Sequence, residues 1–156
     1  MIYLDMDGVI VDFIGGIIGK KSYPYPLGSF DIPQEDYMSK DEDWWANLEW
    51  TLDGKEIYES VKHKLVFILT TPCNPASMFG KMRWISKNLP EMRKRVIFTQ
   101  HKYLFAHPRV TLIDDSSKNC TEFTEHGGKA FCIPRLWNHL YKEIKNVNFI
   151  AQNHDN

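Results

Sequence analysis

Short apolar runs rich in β-branched residues alternate along the chain with segments whose apolar positions have helical spacing. Five such runs are strand candidates: Met1–Leu4, Leu65–Leu69, Arg95–Phe98, Val110–Ile113 and Lys129–Ile133. Runs such as LVFIL and VTLI are apolar throughout, which is typical of strands in a sheet that is covered on both faces.

The segments between these runs carry helix signals. Asn74 and Pro75 can serve as the N-cap and first residue of a helix after the second run. Its apolar positions are Phe79, Met82, Ile85 and Leu89. Ser116 or Ser117 can cap a further helix, which the pair Gly127–Gly128 ends. A last apolar stripe has helical spacing: Trp137, Leu140, Tyr141 and Ile144. This alternation predicts an α/β fold with a doubly wound parallel sheet.

One segment, residues 13–59, breaks the alternation between strand and helix. It contains three of the five tryptophans, among them Trp44 and Trp45, and the acidic stretch DEDWW. A connection of this length without structure of its own is uncommon in a compact domain. We therefore predict a small helical cap at 13–59, inserted after the first strand into a core formed by residues 1–12 and 60–156.

Composition narrows the classes of function. The 156 residues suit one domain with a sizeable core. A net charge of −1 argues against a duplex nucleic-acid binder but leaves a single nucleotide open. No apolar run approaches the roughly 20 residues of a membrane span, and the N-terminus lacks a signal-peptide pattern. The three cysteines are widely spaced, without a CxxC pair, so we expect reduced thiols and a cytoplasmic protein.

Polar side chains follow each of the first four predicted strands. They are Asp5 and Asp7, Thr70 and Thr71, Thr99 to Lys102, and Asp114 and Asp115. The carboxyl ends of parallel strands meet at one edge of a sheet, where ligands bind. Clustered carboxylates repel one another unless a cation or a reacting group needs them. Mg²⁺ prefers a few carboxylates and phosphate oxygens, and lysine and threonine can hold a phosphoryl group. The set therefore indicates phosphoryl transfer.

The motifs DMDGV, ILTT, Lys102 and LIDD resemble, in order, the four motifs of the haloacid dehalogenase (HAD) superfamily of phosphatases. The resemblance implies a Rossmann-like core and a Mg²⁺ cofactor. It also implies that Asp5 is the nucleophile and that Asp7 is the general acid and base, with a main-chain carbonyl that binds Mg²⁺. Thr70 and Lys102 would orient the phosphate.

The resemblance also implies a metal ligand in the fourth motif, LIDD. The second acidic position usually supplies it, which selects Asp115 and leaves Asp114 as a neighbouring group. The metal ligands implied are thus Asp5, Asp7 and Asp115, with the order of the last pair left open.

Within that superfamily the chain is more similar to the 5'(3')-deoxyribonucleotidases. DMDGVIVDF resembles their first motif as far as Phe13, and TTP resembles their second motif, with Thr71 as another phosphate contact. DWWANLEW resembles their aromatic stretch, so Trp44, Trp45 and Phe13 would contact the nucleobase. The implied function is Mg²⁺-dependent hydrolysis of deoxyribonucleoside monophosphates through an aspartyl-phosphate.

Other functions remain open at this point. A phosphatase of similar build could act on another small phosphoester or on a nucleic-acid 3'-phosphate. A phospho-acceptor signalling domain also gathers aspartates, threonine and lysine on a parallel sheet, but in a different order along the chain. We expect a small nucleotide substrate and no membrane or stable duplex nucleic acid as partner, and we leave a homodimer open.

Overall fold

A computed structural model describes residues 1–19 and 34–140. Its strands are β1 (Ile2–Leu4), β2 (Val66–Thr70), β3 (Val96–Phe98), β4 (Thr111–Asp114) and β5 (Lys129–Cys132). Its helices are α1 (Phe13–Ile18), α2 (Gln34–Met38), α3 (Glu42–Ala46), α4 (Gly54–Val61), α5 (Pro75–Asn88) and α6 (Ser117–Glu125), with 3₁₀ turns at Pro90–Met92 and Lys102–Phe105. Each predicted strand is confirmed to within one residue at either end.

The strands form one all-parallel sheet in the order β3-β2-β1-β4-β5. The chain winds outward from β1 through β2 to β3 and then crosses back to β4 and β5. The predicted α/β fold with a doubly wound parallel sheet is therefore confirmed. The winding direction reverses between β1 and β4, so a crevice opens there beyond the carboxyl ends of these two strands.

Two apolar clusters cover the two faces of the sheet because successive side chains of a strand point to opposite faces. Leu4 belongs to a cluster that includes Trp84 and Ile85 of α5. Tyr3 belongs to the other cluster, which includes Phe123 of α6. Helices on both faces account for the continuous apolar character of the strands.

The predicted helix signals hold at α5 and α6. The side-chain oxygen of Asn74 accepts a hydrogen bond from the main-chain N–H of Ser77, and the Ser77 hydroxyl accepts one from the main-chain N–H of Asn74. Pro75 is the first helical residue. Ser116 is the N-cap of α6. The helix predicted from the last apolar stripe is not found at Trp137 and Leu140, which lie in turns. Tyr141 and Ile144 lie outside the described residues.

The described part of residues 13–59 contains α1, α2, α3 and most of α4, while residues 20–33 lie outside it. Helix α3 packs against α5 so closely that a side chain at Gly80 of α5 would collide with it. A Cβ atom on Gly80 would lie 2.3 Å from the Cβ of Trp45 and 2.6 Å from the carbonyl oxygen of Glu42. The predicted boundaries of the cap stay a prediction.

Two smaller findings concern the environment of the protein. None of the helices in the described ranges combines the length and the apolar character that crossing a bilayer requires. The three cysteines form no disulfide.

Gly80→Ala should destabilise the protein, although alanine is the better helix former by about 1 kcal/mol. The added methyl group has no room between α3 and α5, and overpacking costs about 1–3 kcal/mol. Urea denaturation would measure this loss. Ser86→Ala, at an exposed position of α5, is the control and should leave stability unchanged or slightly higher. A stabilised Gly80→Ala variant would contradict the close contact.

Candidate active site

Three carboxylates meet at the crevice between β1 and β4. Asp5 follows β1, Asp114 ends β4, and Asp115 comes next in the chain. Each offers an oxygen that lies within 4.8 Å of the oxygens of the other two. The structure therefore brings together residues that are about 110 positions apart in the sequence, as the predicted edge of the sheet requires.

Lys102 lies among these carboxylates. Its ammonium nitrogen is 2.8 Å from Asp5 Oδ1 and 2.7 Å from Asp114 Oδ2, and its side chain is only 4% exposed. Burial alone would lower the pKa of Lys102, but the charges of Asp5 and Asp114 outweigh it and raise that pKa. Lys102 is therefore a fixed positive charge behind Asp5.

A second buried lysine, Lys81, was missed by the sequence reasoning. Its Nζ donates to Asp7 Oδ2 at 2.6 Å, to Thr70 Oγ1 at 2.9 Å and to the Thr71 carbonyl at 3.0 Å. Lys81 is 2% exposed. Because lysine is almost never fully buried without a partner, this side chain belongs to the site.

The face of α5 explains why Lys81 was overlooked. Phe79, taken from the sequence as an apolar contact of this helix, is 55% exposed. The buried face is instead Ser77, Lys81, Trp84 and Ile85. These residues fall at helical spacing, so a lysine on the same face as two large apolar residues was the signal available in the sequence.

Burial disfavours the ionised forms of Asp7, Asp114 and Asp115. Burial, and after it the charge of Asp5, raises the pKa of Asp115 to about 8 and that of Asp114 to about 6. Burial also raises the pKa of Asp7, against the opposing effect of Lys81. Within the described part of the chain, Oδ1 of Asp7 is buried without a hydrogen-bond partner. Ionising all of these carboxyl groups would thus place more negative charge in the cluster than Lys81 and Lys102 offset.

The carboxylates of Asp114 and Asp115 differ in the number of protein hydrogen-bond donors that contact them. Asp114 accepts from Lys102, from the Ser116 amide at 2.8 Å and from the Asn119 side-chain amide at 3.1 Å and 3.2 Å. Asp115 accepts from the indole N–H of Trp137. Both oxygens of Asp114 therefore have protein donors.

Gly8 brings the loop after β1 against Asp115. Its φ is +73°, and a Cβ atom there would lie 2.1 Å from Oδ2 of Asp115. Glycine is needed on both counts, since other residues rarely adopt this φ and no side chain would fit.

A cavity of about 620 Å³ opens above the carboxylates, within the usual size of small-molecule sites. The predicted site residues that line it are Asp5, Asp7, Phe13, Trp45, Thr71 and Asp115. Thr70 and Lys102, both buried, are not among its lining residues; they contact Lys81 and Asp5 respectively.

The predicted aromatic residues contact one another beside the cavity. Phe13 stacks on Trp45, with ring centroids 5.4 Å apart and planes 13° from parallel. Trp44 meets both rings edge-on and does not belong to the described lining. Tyr37 and Trp137, which the sequence reasoning did not select for this role, do line the cavity.

No protein-family model and no curated protein sequence matches this chain. Among solved structures, it is similar to the HAD family enzyme BT-2542 from Bacteroides thetaiotaomicron, crystallised as a magnesium complex. The identity is 16%, the TM-score is 0.51, and the similarity covers 90% of this chain and 97% of that one. The wild-type enzyme in complex with magnesium and inorganic phosphate gives 14% identity, a TM-score of 0.49 and coverages of 90% and 98%. The chain thus has the fold of a HAD family enzyme.

Raising the pH should destabilise the metal-free protein. The unfolded chain releases the Asp115 proton near pH 4, whereas the folded protein holds it to about pH 8. Between these values the folded state binds the extra proton, so stability falls as the pH rises. Thermal unfolding in a chelator from pH 5 to pH 9 would measure this fall.

Asp115→Asn should remove a large part of that pH dependence and leave the parts that come from Asp114 and Asp7, whose pKa values are also raised. Asp36→Asn, at an exposed position of α2, should reproduce the wild-type profile. A wild-type profile that is flat, or that rises across this range, would contradict a protonated Asp115.

Proposed function

We propose that this protein is a Mg²⁺-dependent phosphomonoesterase of the HAD type. The observation that carries the proposal is the arrangement of Asp5 and Asp7 at one crevice, each held by its own buried lysine and each facing the cavity. Two carboxylates one residue apart suit two roles at one phosphorus atom, a nucleophile and a proton donor.

The donor set fits Mg²⁺. Once ionised, the four carboxylates carry more negative charge than the two ammonium groups offset, and oxygen ligands are those this cation prefers. Asp5 and Asp115 would hold the ion with the main-chain carbonyl of Asp7, because Asp114 is already occupied by protein donors. The bound ion would offset charge on the phosphoryl oxygens. The magnesium complex of the similarly folded HAD family enzyme agrees with this choice of cation.

The protein's own residues perform two displacements in turn. A carboxylate oxygen of Asp5 attacks phosphorus, and the bond from phosphorus to the ester oxygen breaks as Asp7 gives that oxygen its proton. Asp7 then takes a proton from a water molecule that attacks the aspartyl-phosphate, which releases phosphate and restores Asp5. The raised pKa of Asp7 favours its protonated form at the start of this cycle.

The buried lysines and the threonines orient these groups. Lys102 holds Asp5 in place and offsets negative charge beside the reacting phosphorus. Lys81 fixes the carboxylate of Asp7 and the hydroxyl of Thr70. Thr71 lines the cavity next to them and would contact the phosphate.

The substrate we propose is a deoxyribonucleoside monophosphate. The ring of Phe13, stacked on Trp45, lines the cavity that opens above the carboxylates. A flat base can pack on such a wall, and stacking on an aromatic ring excludes water from both surfaces. Trp44 lies outside the described lining and would support the wall through Trp45.

Asp5→Asn should lower the rate of phosphate release at least about a thousandfold, because the variant lacks the nucleophile. The measurement is free phosphate from a panel of deoxyribonucleoside 5'- and 3'-monophosphates with Mg²⁺. β-Glycerophosphate and a 3'-phosphorylated oligonucleotide test the other phosphoester classes. Asp36→Asn is the matched control and should keep wild-type rates. Absence of release from every substrate by the wild type would refute the proposal.

Phe13→Ala should raise KM for deoxyribonucleoside monophosphates about 5- to 150-fold, since stacking contributes about 1–3 kcal/mol per base. Hydrolysis of β-glycerophosphate, which has no ring, should change little. The matched control is Phe79→Ala, which removes an exposed ring of α5 that does not belong to the described lining. Equal losses on both substrates would mean that Phe13 serves the phosphate end and not the base.

A further inference from the structure

A buried arginine follows β5 and contacts the loop that carries Asp7. Arg135 Nε donates to the Gly8 carbonyl at 2.6 Å, and Nη2 donates to the Val9 carbonyl at 3.3 Å. The two Nη atoms also bind the two oxygens of Asp53, each at 2.8 Å. Asp53 is the residue that precedes α4.

All five N–H groups of the Arg135 guanidinium have acceptors. A fifth contact, from Nη1 to the Pro134 carbonyl at 3.4 Å, gives an acceptor to the remaining N–H group. Arginine has five donors in a fixed planar fork. The side chain is 8% exposed, so a lysine, with one nitrogen and three donors, could not replace this pattern.

Two residues close by in the same turn hold Asp115. The Trp137 indole N–H donates to Asp115 Oδ2, and the Asn138 side-chain amide donates to the Asp115 carbonyl at 2.8 Å. Asn138 Oδ1 accepts from the amides of Arg135 and Leu140. The turn is therefore tied to its own residues as well as to Asp115.

The two ends of this turn act on the same contact. Gly8, held by Arg135, lies against the Asp115 carboxylate, held by Trp137, at a separation that admits no side chain. A displacement of Gly8 would shift Asp7, its neighbour in the chain, as well as the space left to Asp115. Errors of about 1 Å at a reacting centre can lower rates about a hundredfold.

We propose that the turn Pro134–Asn138, called here the Arg135 turn, is a positioning element of the active site. Arg135 sets the place of Asp7 through the Gly8 carbonyl, and Trp137 sets the orientation of Asp115. This inference rests on the proposed function for its kinetic part alone. Its metal-binding part concerns Asp115 directly and needs no turnover.

The kinetic test compares three variants on the substrate that the wild type hydrolyses. Arg135→Lys should lower kcat about ten- to hundredfold with KM within about threefold. Asp53→Asn leaves the carbonyl contacts of Arg135 in place and should lower kcat less. Arg83→Lys alters an exposed arginine that pairs with Glu42 and Asp43 across α3 and α5, and should leave kcat unchanged. Thermal melts would establish that each variant is folded at the assay temperature.

The binding test uses MgCl₂ alone and isothermal titration calorimetry. Trp137→Phe keeps an aromatic ring but removes the N–H donor, and should weaken Mg²⁺ binding about tenfold. Arg83→Lys should bind as the wild type does. Unchanged Mg²⁺ affinity in Trp137→Phe, or a kcat in folded Arg135→Lys that equals the wild-type value or that of Asp53→Asn, would overturn the proposal. If the wild type hydrolyses no phosphoester, the proposed function fails and the titration still decides the role of Trp137.

Discussion

Electrostatic repulsion among the carboxylates at the crevice between β1 and β4 is the constraint around which the site is built. Buried negative charges are costly in a protein interior unless other groups compensate them. Lys102 compensates Asp5 and Asp114, and Lys81 compensates Asp7. Each lysine comes from a different part of the chain, so the lysines reach these carboxylates only in the folded protein.

This constraint also explains the use of main-chain donors and of glycine in the surrounding loops. The Ser116 amide faces Asp114, which places a partial positive charge beside a buried carboxylate at the start of α6. Gly8 allows the loop after β1 to approach Asp115 without a side chain. Charge and steric fit are therefore satisfied by the same few residues.

The fold was predictable from the sequence because its signals are local. Each strand is a short apolar run, and the caps at Asn74 and Ser116 depend on residues within one helical turn. The aspartates could be placed at the site for the same reason, since Asp5 follows β1 directly and Asp114 and Asp115 lie at the end of β4.

Residues that act from a distance could not be found in this way. Lys81 is 74 positions from Asp7, and Arg135 is 127 positions from Gly8. Their roles depend on which face of α5 is buried and on where the chain turns after β5, neither of which a local pattern determines. Trp44 and Trp45 are adjacent in the sequence, and only their packing separates the one that lines the cavity from the one behind it.

The contact of α3 with Gly80 has a consequence for molecular recognition at the cavity. Trp45 lies in α3, whose backbone rests directly on α5, so this aromatic wall is anchored to the same helix that supplies Lys81. Lys81 Nζ also lies 5.5 Å from the centre of the Trp45 ring, within the range of a cation–π interaction. A wall built this way is in place before any ligand arrives. For the flat base of the proposed substrate, little conformational entropy would then be lost on binding, and the shape already present in the free protein would supply the selectivity.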